Sequence, residues 1–253
     1  MKRQILFSIL FLGCMGNTLL AQNTQPQLGL PTVLIELFSS EGCSSCPMAD
    51  QFLKEIMTIA DSGQVPVFCL DYHVDIWNKS GWVDTFSDTS FSRRQREYMV
   101  KTKQQAMFTP MMFVNGGGAL PGNAKKEVSN MINQNLNRNP ETSLITKAGY
   151  IREANALVVD FEIEGNVDSC SLQLVIAYKE IESKVTAGEN AGLTLVHHHA
   201  VQSWKEESLN GRKKGRVQLS LPADVPVSNL MLVSFVQHQP TWRVLATDQL
   251  MFR

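Results

Sequence analysis

The chain has 253 residues, 23 Lys plus Arg against 24 Asp plus Glu, and a formal net charge of −1. Such a balance offers no field for nucleic acid or an anionic surface, and the basic run Arg212 to Arg216, flanked by glycine, suits an exposed turn better than a binding groove. No nucleic-acid partner is expected.

The first 21 residues read as a signal peptide: Lys2 and Arg3, an apolar run from Ile5 to Leu12, and Leu19-Leu20-Ala21 before a cleavage at Gln22. That run is shorter than the roughly 18 residues that span a bilayer. The mature chain should therefore carry no transmembrane segment and be secreted or periplasmic. Leu12-Gly13-Cys14 loosely matches a lipoprotein processing box, and lipidation at Cys14 would instead tether the protein. Residues 22–31 form a polar, aperiodic lead-in. Val33 to Phe38 reads as a buried strand, interrupted by Ser39, Ser40 and Gly42. Ala49, Phe52, Leu53, Ile56, Ile59 and Ala60 then recur at helical spacing until Ser62-Gly63. A second strand covers Val65 to Val74, and a polar helix runs from about Ser92 to Ala106. Thr109-Pro110 leads into a short strand, Met111 to Val114, with a turn at Asn115-Gly116. An amphipathic helix from Asn123 to Asn135 closes a compact α/β unit, residues 32–137. After a linker at Asn137 to Glu141 the period changes to two. Leu144 to Glu153, Ala156 to Ile163, Leu172 to Tyr178, Val217 to Leu221, Leu230 to Val236 and Trp242 to Leu245 are strand candidates. Residues 142–253 are thus expected to form an antiparallel β-sandwich-like domain, packed on the first through Phe161, Val175 and Phe235.

With Cys14 removed, four cysteines remain, and Cys43-Ser44-Ser45-Cys46-Pro47 stands where the first strand meets the first helix. Backbone N–H groups and the helix dipole at that end favour a thiolate. Cys43 would be the exposed nucleophile and Cys46, one turn in, the resolving thiol. Pro47 suits the first helical turn. A fixed disulfide is the other reading of the pair. Zinc would need further ligands, and no second close cysteine pair exists, so no metal is expected. Cys69 and Cys170 stand alone. With the pair at its strand-to-helix junction, the α/β unit is read as thioredoxin-like. Pro110 would then be a cis proline opposite the cysteines, leaving the Thr109 backbone to hold an extended substrate; the other reading is an edge-strand proline in trans.

Other candidates surround the pair. Glu36, an acid in an apolar strand, is either a buried carboxylate that moves the proton of Cys46 or a salt-bridged structural acid. His73 and Asp75, two apart on one strand, either tune the cysteines or fasten the following loop. Trp77 and Trp82 are lid residues over a peptide groove or loop anchors. Hydrolysis by a Cys–His pair would need His73 within about 3 Å of Cys43. Of His197, His198 and His199, strand alternation points at most two the same way, and a third ligand such as His238 would have to come from elsewhere. Glu189 and Asn190 lie in loop chemistry with no stated ligand.

Glu36-Leu37-Phe38, Glu41-Gly42-Cys43-Ser44-Ser45-Cys46-Pro47, His73-Val74-Asp75-Ile76-Trp77, Gly81-Trp82, Arg94-Gln95, Thr109-Pro110 and Gly188-Glu189-Asn190-Ala191-Gly192 followed by Thr194-Leu195-Val196-His197 together resemble the secreted family catalogued as domain of unknown function 1223. That family is classed in the thioredoxin-like superfamily. The resemblance implies a fold and a cysteine pair, with no established substrate. The expected activity is thiol–disulfide exchange through Cys43 and Cys46 on exported protein or peptide thiols, with a separate redox partner and no cofactor. The alternative is an extracytoplasmic binding or assembly module with a structural disulfide.

Overall fold

Val33–Ser39 (β1) is buried along its whole length, as befits a strand covered on both faces. The computed structural model describes residues 29–253, so the signal peptide, the Cys14 box and most of the 22–31 lead-in lie outside the described residues. After β1 come α1 (Cys46–Gly63), β2 (Val67–His73), a short 3₁₀ turn (Asp75–Trp77), α2 (Thr89–Thr102), β3 (Met111–Val114), β4 (Leu120–Pro121) and α3 (Lys125–Leu136). The strand order is β2-β1-β3-β4, with β2 parallel to β1 and the other pairs antiparallel. Pro47 opens α1, and Gln64 in left-handed conformation closes it. The second helix starts earlier than its pattern predicts, because the Asp88 carboxylate caps the Ser90 N–H. It also stops earlier, at Thr102, where Lys103 turns left-handed. Among the described residues, no helix is long and apolar enough to cross a membrane.

Alternation along β1 separates two cores. Val33, Ile35 and Leu37 meet Ala49, Phe52, Leu53 and Ile56 of α1. Leu34 and Phe38 face the other way, onto Phe91 and Tyr98 of α2.

The C-terminal region is antiparallel and β-rich: β5 (Thr142–Ile151), β6 (Ala156–Gly165), β7 (Cys170–Tyr178), β8 (Glu180–Lys184), β9 (Thr194–His198), β10 (Val201–Ser208), β11 (Lys214–Ser220), β12 (Leu230–His238) and β13 (Val244–Met251). They form sheets of order β11-β6-β5 and β10-β7-β12-β13, and a separate β8-β9 hairpin. One core joins the first two sheets, with Leu157, Phe161 and Ile163 against Leu172, Leu174 and Leu232. The opposite face of the four-stranded sheet presents Val175, Ala177, Val233 and Phe235 to Leu34, Phe38 and Tyr72. Strands β7 and β12 are consequently buried on both faces. Val175 and Phe235 lie at the junction between the two regions, whereas Phe161 is inside the C-terminal core. The hairpin strands β8 and β9 and the long β10 carry no clear alternation of apolar residues, so their sequence did not announce them. The last strand starts at Val244 because Trp242 takes a positive φ of 61° in the preceding turn.

Candidate functional site

At the C-terminal end of β1 the chain turns through Ser40 to Ser45 into α1, which brings Cys43 and Cys46 together as free thiols. Cys46 is buried at the helix start. Cys43 Sγ lies 3.3 Å from Ser45 Oγ and 3.6 Å from the Thr109 carbonyl oxygen. The Thr109-Pro110 peptide is cis. Trp77 Nε1 donates to Thr109 Oγ1 at 2.7 Å. The same Trp77 packs so close to Gly42 that a Cβ there would sit 2.9 Å from its own Cβ, which is why the cysteine loop needs glycine at that point. Contact with the Cys46 thiol, aided by Ser45 and Thr109, lowers the Cys43 pKa to about 5 against the opposing effect of burial. Burial and the neighbouring Cys43 push the Cys46 thiol far up.

Cys43 is not the exposed group expected from the sequence: only 3 % of it is accessible. The Gly188–Gly192 loop of the C-terminal region covers it. Glu189 Oε2 accepts from the Ser44 N–H at 2.9 Å, and Asn190 Nδ2 donates to the carbonyls of Glu41 (2.7 Å) and Cys43 (3.1 Å).

Beside Cys46, on the α1 face of the sheet, lies a buried cluster of acids and imidazoles. Asp71 and His73 alternate onto that face from β2, Asp50 comes from α1 one turn beyond Cys46, and His197 comes from β9. His73 Nδ1 meets Asp84 Oδ2 at 2.8 Å and its Nε2 meets Asp71 Oδ2 at 3.2 Å. Both ring nitrogens are thereby engaged, leaving none for Cys43. Despite burial, these two carboxylates hold the His73 pKa well above its usual value. His197 Nε2 contacts Glu41 Oε1 at 3.1 Å, while its Nδ1 stands 3.5 Å from Asp50 Oδ2. At that distance the second contact is an ion pair rather than a hydrogen bond, and His197 Nδ1 and Asp50 Oδ1 have no hydrogen-bond partner. Burial, then the charge of Asp71, raises the Asp50 pKa to about 6. His197 rises to about 9: burial opposes, but Asp50 and Glu41 prevail. Glu41 also accepts from Trp82 Nε1 at 2.7 Å and from Ser183.

The structure distributes the remaining candidates widely. Glu36 points to the opposite face of β1, where Arg94 Nε donates to it at 2.7 Å and Tyr98 adds a hydroxyl. Asp75 pairs with Ser92 rather than with His73. His199, in positive φ, breaks the alternation and contacts the Cys69 carbonyl at 3.0 Å; His198 faces Glu180, and His238 contacts Thr241. Asp50, Asp71, Asp84 and Glu41 were not singled out from sequence. Alternation with His73 could have found Asp71, and one helical turn from Cys46 could have found Asp50. Nothing local marks His197 as their neighbour.

A family model described as "Protein of unknown function (DUF1223)" matches residues 34–237. No curated protein matches. Among solved structures, a protein from Agrobacterium tumefaciens is similar at 22% identity and a TM-score of 0.66, over 88% of this chain and 95% of that one, a likeness in fold alone. A domain of the outer membrane lipoprotein Omp28 from Porphyromonas gingivalis is similar at 18% identity and a TM-score of 0.29, over 46% of this chain and 91% of that one. A β-glucuronidase from Ruminococcus gnavus is similar at 14% identity and a TM-score of 0.24, over 44% of this chain and 16% of that one. Both are too loosely alike to bear on fold or function.

Proposed function

The chain belongs to the DUF1223 family, and on that premise we propose that it is an exported thiol–disulfide oxidoreductase, with a thioredoxin-like domain over 32–137 and a β-sandwich-like domain over 142–253. The supporting observation is the asymmetry of the two thiols: Cys43 favours its thiolate at neutral pH, Cys46 its thiol, and Cys43 stands against the carbonyl of Thr109, which precedes cis Pro110. In the reducing direction the Cys43 thiolate attacks a substrate disulfide and expels one substrate thiolate. Cys46 then attacks Cys43 Sγ, which breaks the mixed disulfide, forms the Cys43–Cys46 disulfide and releases the second substrate sulfur, the Cys46 proton passing to a released substrate thiolate. The substrate gains two electrons and the protein loses two. The same steps reversed oxidise a dithiol, and the reduction potential fixes the direction. Trp77 acts by holding Thr109, and Trp82 by holding Glu41. An incoming peptide must displace the Glu189-Asn190 loop to reach Cys43.

That cover favours one second reading, a binding or assembly module in which the loop and the cysteines are structural. A redox titration in glutathione buffers, with mass-resolved alkylation of the two thiols, separates the two. A potential within reach of the extracytoplasmic thiol pool, and mixed disulfides trapped on Cys43 in Cys46→Ala, are expected for the oxidoreductase. A potential below about −300 mV indicates a structural disulfide.

A further inference from the structure

We propose that Asp50, Asp71, His73 and His197 form a closed four-ligand site for a divalent transition-metal ion of borderline softness, of which zinc suits the donors best. The donors are two imidazole nitrogens and two carboxylate oxygens, from α1, β2 and β9. Ligand atoms of Asp71, His73 and His197 all lie within 4.8 Å of one another. Asp50 stands at the edge of that group, its Oδ2 3.5 Å from His197 Nδ1; this separation and the 3.2 Å from His73 Nε2 to Asp71 Oδ2 lie close to the edge of about 3.3–3.4 Å in a tetrahedron with bonds of about 2.0–2.1 Å.

Two independent features point the same way. Each imidazole is held through its other nitrogen by a carboxylate outside the four, His73 Nδ1 by Asp84 at 2.8 Å and His197 Nε2 by Glu41 at 3.1 Å. Such outer carboxylates fix ring orientation and raise the basicity of a metal-binding imidazole. Ser39 Oγ likewise bonds the spare oxygen of Asp71 at 2.6 Å. The atoms left without a hydrogen-bond partner are His197 Nδ1, on a side chain 1% exposed, and Asp50 Oδ1. An ion gives His197 Nδ1 the partner that the protein does not supply. Asp50, whose side chain is 12% exposed, borders a groove of about 280 Å³ also lined by Pro47, Lys54, Thr194, Val196 and His198.

The site is separate from the cysteine chemistry and survives its loss. Bound there, the ion ties the C-terminal β8-β9 hairpin to β2 and α1, one helical turn from Cys46.

The mature chain, purified without chelators, is to be assayed for metal by mass spectrometry, then stripped and titrated with Zn²⁺ against a chromogenic chelator. One zinc per chain is expected, in the wild type and equally in Cys43→Ser/Cys46→Ser. Glu41→Gln should weaken binding about 10- to 100-fold, and Asp50→Asn and His197→Gln at least as much. If His197→Gln does not fold, as read by circular dichroism, Asp50→Asn carries the test, because that side chain is partly exposed and sits at the groove. Substitution with Co²⁺ should give the visible bands of four-coordinate nitrogen and oxygen ligation without thiolate charge transfer. Zinc below about a tenth of an equivalent, or zinc lost from the cysteine variant and kept in Asp50→Asn, overturns the site.

Discussion

Two buried polar clusters lie on opposite faces of the N-terminal sheet, and they are built differently. On the α2 face, fully buried Arg94 is paired with Glu36, Tyr98 bonds both, and Gln237 from β12 completes the set. Its guanidinium also lies 5.0–5.6 Å from the ring centres of Tyr72, Tyr98, Trp204, Phe235 and Trp242. One cation meets one carboxylate, and Arg94, Glu36, Tyr98 and Gln237 are all partnered, although the buried Tyr72 hydroxyl beside them is not. On the α1 face, Glu41, Asp50, Asp71 and Asp84 surround two imidazoles, with atoms left over. A satisfied cluster at the junction of two regions is a fastener. The other, beside Cys46, keeps His197 Nδ1 and Asp50 Oδ1 without hydrogen-bond partners.

The sharpest separation should come from thiol reactivity. Cys43 is an acid whose pKa is lowered to about 5, so its thiolate, and its alkylation rate, should rise between about pH 4 and 6 and be flat by pH 7. Cys46, whose pKa is raised, should stay unreactive throughout. A Cys43 profile that still climbs at about pH 8.5, as a free thiol does, would dissolve the distinction. On the other face, Arg94→Met leaves Glu36 buried without its cation and should cost about 3–5 kcal/mol in urea unfolding. Arg94→Met/Glu36→Leu should recover much of it. In native buffer, the Cys43 pH profile of the single variant should not move; if it moves, the two faces are coupled after all.

Asn190→Ala removes two hydrogen bonds from the loop over Cys43. At about 1 kcal/mol each, alkylation of Cys43 should quicken by roughly 5- to 30-fold. An unchanged rate would mean that access does not depend on that loop. The smallest effect is expected outside both clusters, where Arg216→Ala breaks only the exposed pair with Asp160 and should leave the melting temperature unchanged within error.

The cysteine pair, the α1 periodicity and the Thr-Pro step before β3 were legible because each is set by neighbours in the chain. The separation of the two clusters was partly legible: β1 alternation places Glu36 with Leu34 and Phe38, away from the α1 face, but only the structure supplies Arg94 and Tyr98 as its partners. His197 was opaque for a different reason. Its strand pairs with Glu180–Lys184, a segment whose alternation carries no apolar signal, and its partners on β2 and α1 lie more than a hundred residues earlier. Local spacing placed His197 and His199 on one face, yet the positive φ of His199 sends the two imidazoles to different neighbours.

The burial of β7 and β12 on both faces also dictates an order of events at the ribosome. The first sheet is synthesised long before the strands that roof it, and its Leu34, Phe38 and Tyr72 side is covered only in part, by Phe91 and Tyr98 of α2, until Val175, Phe235 and finally Val244 have emerged. A nascent chain in that state displays an apolar face to any neighbour. The last strands made complete the first sheet, so a ribosome that stalls before β12 leaves a sticky fragment rather than a shorter working protein.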